Sequence, residues 1–97
     1  MAEAEKTDAL EAGMKTRREV LGDAHVDRAE SNSTPFDADF QEFITRYAWG
    51  DAWQRGSLDR RVRHLVTLSV LCALGREHEL ELHLRATVNT GVSQDDV

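Results

Sequence analysis

An all-α fold, arranged as a small helical bundle, is what this sequence predicts, and three observations carry the expectation. Apolar residues recur at helical spacing through most of the chain, with no alternating pattern of the kind strands need. Proline occurs once in 97 residues, so long helices are not interrupted. Glycines stand where the periodic stretches stop, which is where a helix most easily takes a left-handed residue. Hydrophobic residues make up 40% of the chain and charged residues 31%, which suits a helical globule with a solvated outer face. Residues 1–97 read as a single helical domain, whose core is marginal at that size.

Each element has its own local reason. A first helix is predicted from about Thr7 to Gly22, with Asp8 and Glu11 early and Leu10, Met14, Arg17 and Leu21 on the period. Gly13 weakens its middle. Asp23 to Ser33 reads as a polar connector. The second helix starts at Thr34 as N-cap, with Pro35 at the first helical position. Phe36, Phe40, Phe43, Ile44 and Tyr47 then share a stripe that calls for burial, and Gly50 marks a bend. Ser57 is the next expected cap. It opens a third helix from Leu58 to about Leu74, apolar nearly all round in its second half and so expected to be central. A fourth helix is predicted from Arg76 to Asn89, ended by Gly91. Ser93-Gln94-Asp95-Asp96 looks like a capped helix start with no helix after it, so the domain is expected to be incomplete at its C-terminus.

Composition excludes several function classes. Twelve Lys+Arg against 18 Asp+Glu give a formal net charge of -6, which argues against nonspecific nucleic-acid binding. An anionic small molecule stays compatible, because local arginines can hold one within an acidic protein. The single cysteine, Cys72, allows no intrachain disulfide, and a reducing cytoplasm is the simplest compartment. The stretch Met1 to Thr7 lacks the pattern of a signal peptide. The longest apolar run, Leu65 to Leu74, is too short to span a membrane.

Chemistry concentrates between Arg76 and Arg85. His78 and His83 bracket a stretch that superficially resembles a zinc-protease helix, but they stand at i and i+5. That spacing sets them roughly 140° apart around the axis instead of on one face. Glu79 and His83 are at i and i+4, where a carboxylate can orient an imidazole for acid/base work, or form an ordinary surface pair. Arg76, Arg85 and His78 lie close by in sequence. Cys72 reads as a buried small hydrophobe without a resolving partner. Arg60, Arg61 and Arg63 open the third helix, either as a solvated face or as a site for a counter-anion. Tyr47, Trp49 and Trp53 suit packing or subunit contacts.

These stretches taken together resemble the γ-carboxymuconolactone decarboxylases. The resemblance runs through Gly13-Met14 to Arg18, Val20 to Asp27, Phe40 to Gly50, Leu58 to Arg61, Ala73 to Arg76, Leu82 to Ala86, and Gly91-Val92. Each stretch is short, but the set is specific and covers nearly the whole chain from about residue 11. The resemblance implies a helical fold of the carboxymuconolactone decarboxylase and alkylhydroperoxidase-like type, assembled as a homo-oligomer, commonly a hexamer. It implies decarboxylation of a lactone dicarboxylate in protocatechuate breakdown, without metal or organic cofactor. His83 would then donate a proton or stabilise an oxyanion, oriented by Glu79. Arg85 or Arg76 would bind carboxylate, with His78 a further candidate. Alkylhydroperoxidase-type relatives carry a C-x-x-C pair where this chain has Arg76 and Glu79, which removes thiol chemistry. The alternatives are a peroxidase-like member of the same superfamily and a non-catalytic helical oligomerisation module.

Overall fold

The computed structural model of the chain describes residues 2–97, and every helix the sequence predicts has a counterpart in it. The described chain is helical, with no strand among the described residues. It divides into two compact units, one up to Arg55 and the other Gly56–Val97.

In the first unit, α1 runs Glu3–Leu21, starting earlier than the sequence predicts. Glu3 and Glu5 fill its first turn and favour the positive helix end. Gly22, at φ 90° and ψ 146°, breaks the chain sharply in a conformation that suits glycine alone. The expected connector is instead a helix, α2, Asp23–Ser31. Its polar surface hid two anchors. Val26 is fully buried, and Arg18 of α1 pairs with Asp23 at 3.0 Å and Asp27 at 2.9 Å.

Thr34 and Pro35 form a turn and not a helical cap, because the Asp37 carboxylate takes the Thr34 backbone N–H at 2.7 Å. The helix proper, α3, is Ala38–Ile44. It passes into a π-helical segment, Thr45–Trp49, which shifts the register and turns Thr45 and Trp49 inward. The aromatic stripe stays outside. Phe36 is 98% exposed and Phe40 59%, because α3 meets the rest of the unit chiefly through the segment that continues it. A 3₁₀ turn follows at Ala52–Gln54.

Segment 45–50 lies directly on α1. A Cβ at Gly13 would stand 2.0 Å from the Thr45 carbonyl oxygen, and one at Gly50 would stand 2.2 Å from that of Ala9. Gly13, which weakens an isolated helix, is what permits this backbone-to-backbone approach. Gln54 Nε2 ties the turn down by donating to Thr16 Oγ1 at 2.6 Å and to the Trp49 carbonyl at 2.9 Å.

The second unit holds α4, α5 and α6. Asp59, not Ser57, caps α4 (Arg60–Ala73), its carboxylate accepting from the Val62 N–H at 2.8 Å. The second half of α4 is not buried all round as its composition suggests. Only His64 and Leu68 are buried, while Val70 is 49% exposed, since α5 and α6 cover one face. Cys72, expected in the interior, is exposed for the same reason. The predicted fourth helix is divided at Ala86 into α5, Glu77–Arg85, and α6, Thr87–Thr90. Gly91 closes α6 at φ 78°. The capped start at Ser93 is present as a 3₁₀ turn, Gln94–Asp96, with Ser93 Oγ accepting from the Asp96 N–H at 3.3 Å.

Candidate functional site

The predicted site residues all lie in the second unit, on or beside α5. His83 falls in its last turn and is half-buried. Its Nδ1 lies 3.1 Å from Nε2 of His64, with the two rings edge-on at 64° and their centroids 5.3 Å apart. His64 comes from α4, four residues before the buried Leu68, and its own surface is 0% exposed. Its other nitrogen, Nδ1, lies 2.6 Å from Oγ1 of Thr90 at the end of α6. Three helices thus contribute one side chain each to a continuous line, Thr90–His64–His83. Burial pushes the His64 imidazole below its ordinary pKa, because the charged form is poorly solvated there.

His64 was not singled out from the sequence. The available signal was its position: on the inward face of α4, a titratable side chain sits among Leu65 and Leu68.

Glu79 and His83 stand one turn apart on α5. Glu79 Oε1 accepts a hydrogen bond from Arg76 at 2.8 Å. That bond is the main reason the Glu79 carboxyl is held below its ordinary pKa, and it raises that of Arg76 in turn. His78 is exposed and adds a smaller favourable field at Glu79. Arg85 pairs with Glu81 at 2.6 Å, its side chain 78% exposed. Arg76 and Arg85 are therefore both surface cations with carboxylate partners. Such exposed pairs contribute little stability and exchange partners readily.

Of the three arginines that open α4, Arg61 meets a carboxylate from its own chain, that of Asp96. That contact supplies a counter-anion at this helix end from within the chain. A shallow apolar groove of about 250 Å³ lies beside α4 and α5, lined by Leu65, Leu68, Cys72, Leu80 and Leu84, with Asp96 at its edge. No group of three or more His, Cys, Asp and Glu able to hold a metal occurs among the described residues.

Comparison with known proteins adds an independent line. Residues 38–97 match the model of the carboxymuconolactone decarboxylase family. The chain is 53% identical over 85 residues to 4-carboxymuconolactone decarboxylase of Acinetobacter baylyi, covering 88% of this chain and 63% of that protein. It is 42% identical over 88 residues to nitrosuccinic acid decarboxylase of Metarhizium robertsii, covering 91% of this chain and 62% of that protein. A 4-carboxymuconolactone decarboxylase of Pseudomonas putida is 58% identical over 41 residues, 42% of this chain and 85% of that protein. The chain thus spans less than two thirds of the length of the first two relatives. No solved structure matches it.

Proposed function

The chain belongs to the carboxymuconolactone decarboxylase family, and from that membership we propose that it decarboxylates γ-carboxymuconolactone to 3-oxoadipate enol-lactone in aromatic-acid catabolism. The observation that carries the reading is the 53% identity, across 88% of the chain, to a relative of that name.

The chemistry asks little of the protein. The bond from the ring carbon to its carboxylate breaks, and CO2 leaves. The electron pair passes through the ring alkene to the lactone carbonyl, so the substrate is its own electron sink and no cofactor is required. A proton then adds to the ring carbon beside the carbonyl. The protein must hold the carboxylates, favour the developing oxyanion and supply the proton.

His83 is the proposed proton donor, a half-buried imidazole in the last turn of α5, within the residues that match the family. Glu79, one turn away on α5, is the proposed residue that orients it. Arg85 and Arg76, with His78 beside them, are the proposed carboxylate binders. Their present partners are exposed carboxylates that a substrate can displace at small cost.

The proposal includes a homo-oligomer, with the family's hexamer as its expected form, in the cytoplasm. Large apolar side chains left exposed in the single chain, Phe36, Phe40, Tyr47, Val66, Leu74 and Val88 among them, support self-association. No helix among the described residues is long and apolar enough to cross a membrane.

The test is to incubate the purified chain with γ-carboxymuconolactone and follow enol-lactone formation and CO2 release. Turnover is expected, with His83→Ala lowering kcat by roughly a hundredfold or more. A folded, helical chain without turnover would overturn the activity, and full turnover by His83→Ala would remove His83 from its role. The same assay with nitrosuccinic acid decides between the substrate classes of the two kinds of relative.

A further inference from the structure

Both nitrogens of His64 have partners inside the second unit, and this links the tautomers of two imidazoles. His64 Nε2 faces His83 Nδ1 at 3.1 Å, and His64 Nδ1 faces Thr90 Oγ1 at 2.6 Å. Between the two facing nitrogens there is room for one proton: two lone pairs repel, and two N–H groups collide. The shared proton therefore belongs either to His83 or to His64, and the choice fixes what His64 does toward Thr90.

Thr90 decides between the two orders. Its hydroxyl oxygen lies 3.4 Å from the Thr87 carbonyl oxygen, one turn back on α6. A carbonyl only accepts, so it offers the Thr90 hydroxyl hydrogen a destination and leaves the hydroxyl lone pairs for a donor. The donor is then His64 Nδ1–H. A neutral His64 with its hydrogen on Nδ1 has a bare Nε2, and that nitrogen accepts the Nδ1–H of His83.

Burial settles where a further proton goes. His64 is 0% exposed, whereas His83 is half-buried. A charge on His64 would be formed away from solvent, and a charge on His83 would not. An added proton therefore resides on His83, and since Nδ1 already carries one, it arrives at Nε2.

We propose that His64 is a positioning residue: a buried, neutral acceptor that holds the His83 hydrogen on Nδ1 and directs the exchangeable proton to His83 Nε2. Its catalytic consequence rests on the reading of His83 as proton donor; the tautomer lock itself does not. The arrangement resembles a carboxylate orienting a histidine, but the acceptor carries no charge, so it fixes geometry without adding an anion beside an anionic substrate.

The experiment uses the whole 97-residue chain with 15N-labelled histidine. Long-range proton–nitrogen spectra report each tautomer, and a coupling across the hydrogen bond between His83 Nδ1 and His64 Nε2 reports the contact. The expected result is His64 in the Nδ1–H form with that coupling present. His64 in the Nε2–H form, or absence of the coupling, overturns the proposal.

Turnover of γ-carboxymuconolactone supplies the second arm. His64→Leu is expected to lower kcat about tenfold while KM moves less than about twofold, since one hydrogen bond to a charged group is lost. His64→Gln, whose side-chain carbonyl can accept from His83, is expected to recover most of that loss. A merely structural role predicts the reverse order, with Leu tolerated in the buried site and Gln harmful. Unchanged kcat in a folded His64→Leu chain overturns the positioning role. Should His64→Leu fail to fold, Thr90→Val takes its place, with the His64 hydrogen expected to move to Nε2 and kcat to fall. An intact coupling in a chain that turns over no lactone would support the lock and sink the decarboxylase reading.

Discussion

Gly13→Ala sets local propensity against packing. On an isolated helix the change stabilises by about 1 kcal/mol, because alanine restricts the unfolded chain and suits the helix interior. Here the new Cβ would lie 2.0 Å from the Thr45 carbonyl oxygen, 2.8 Å from the Gly50 nitrogen and 3.0 Å from the Gly50 Cα. A carbon–oxygen contact needs about 3.3 Å, so α1 and segment 45–50 must separate by roughly 1.3 Å. All three contacts are to backbone, which has no rotamer to change. Overpacking of this kind costs about 3 kcal/mol, the upper end of the usual range, and each contact pulled apart loses dispersion energy as well. The net expectation is a loss of about 2 kcal/mol, or a fall in Tm of roughly 8–16 °C for a domain of this size. Both tryptophans, Trp49 and Trp53, lie in the same unit as Gly13, with ring centroids 4.9 Å apart. Urea unfolding followed by intrinsic fluorescence therefore reports the affected unit directly. A Gly13→Ala chain as stable as the original, or more so, would refute the close-approach argument.

Two smaller perturbations test the second unit. Asp59→Ala removes the side chain that accepts from Val62 at the start of α4, and should cost about 1 kcal/mol by circular dichroism in urea; Ser57→Ala, at the position first expected to cap, should cost much less. Stability should also depend on pH through His64. Burial holds its folded-state pKa below the ordinary 6.5, so the unfolded chain binds the proton first as pH falls. The contribution is fully present above 6.5 and declines as pH drops from there toward the folded-state value. Urea midpoints at pH 8 and pH 5 should differ more for the original chain than for His64→Leu, whereas equal differences would show that His64, packed on His83 and Thr90, is not the group responsible.

The helical class and most helix ends were legible because they rest on local chemistry. Gly22 and Gly91 stop helices at positive φ, and Ser93 accepts the hydrogen bond expected of a cap. What was not legible depends on contacts distant in sequence. Val26 pins α2 through burial against another element, a fact absent from the polar composition of residues 23–33. Gly13 looks like a defect until Thr45 and Gly50 are set beside it. The Phe36–Tyr47 stripe presumed one regular α-helix, whereas residues 35–37 form a turn, α3 begins only at Ala38, and a π-helical segment takes over at Thr45. At the candidate site the sequence pointed to His83 through its spacing from Glu79. The neighbour that the structure sets against His83, His64, lies 19 residues away and could be joined to it only by the packing of α4 on α5.

Arg17 has a consequence of a different kind. Its guanidinium is buried and reaches Glu30 of α2 and Thr45 each at 3.4 Å and Gln41 of α3 at 3.2 Å, while its backbone belongs to α1. One planar group with several fixed donors therefore joins α1, α2 and the continuous run of α3 with the π-helical segment. Withdrawing any one stretch leaves part of a buried cation without a partner, which costs far more than the loss of a single apolar contact. The stretches around Arg17 are thus bound to open together: the side chain that holds the unit's architecture also sets its smallest step of opening.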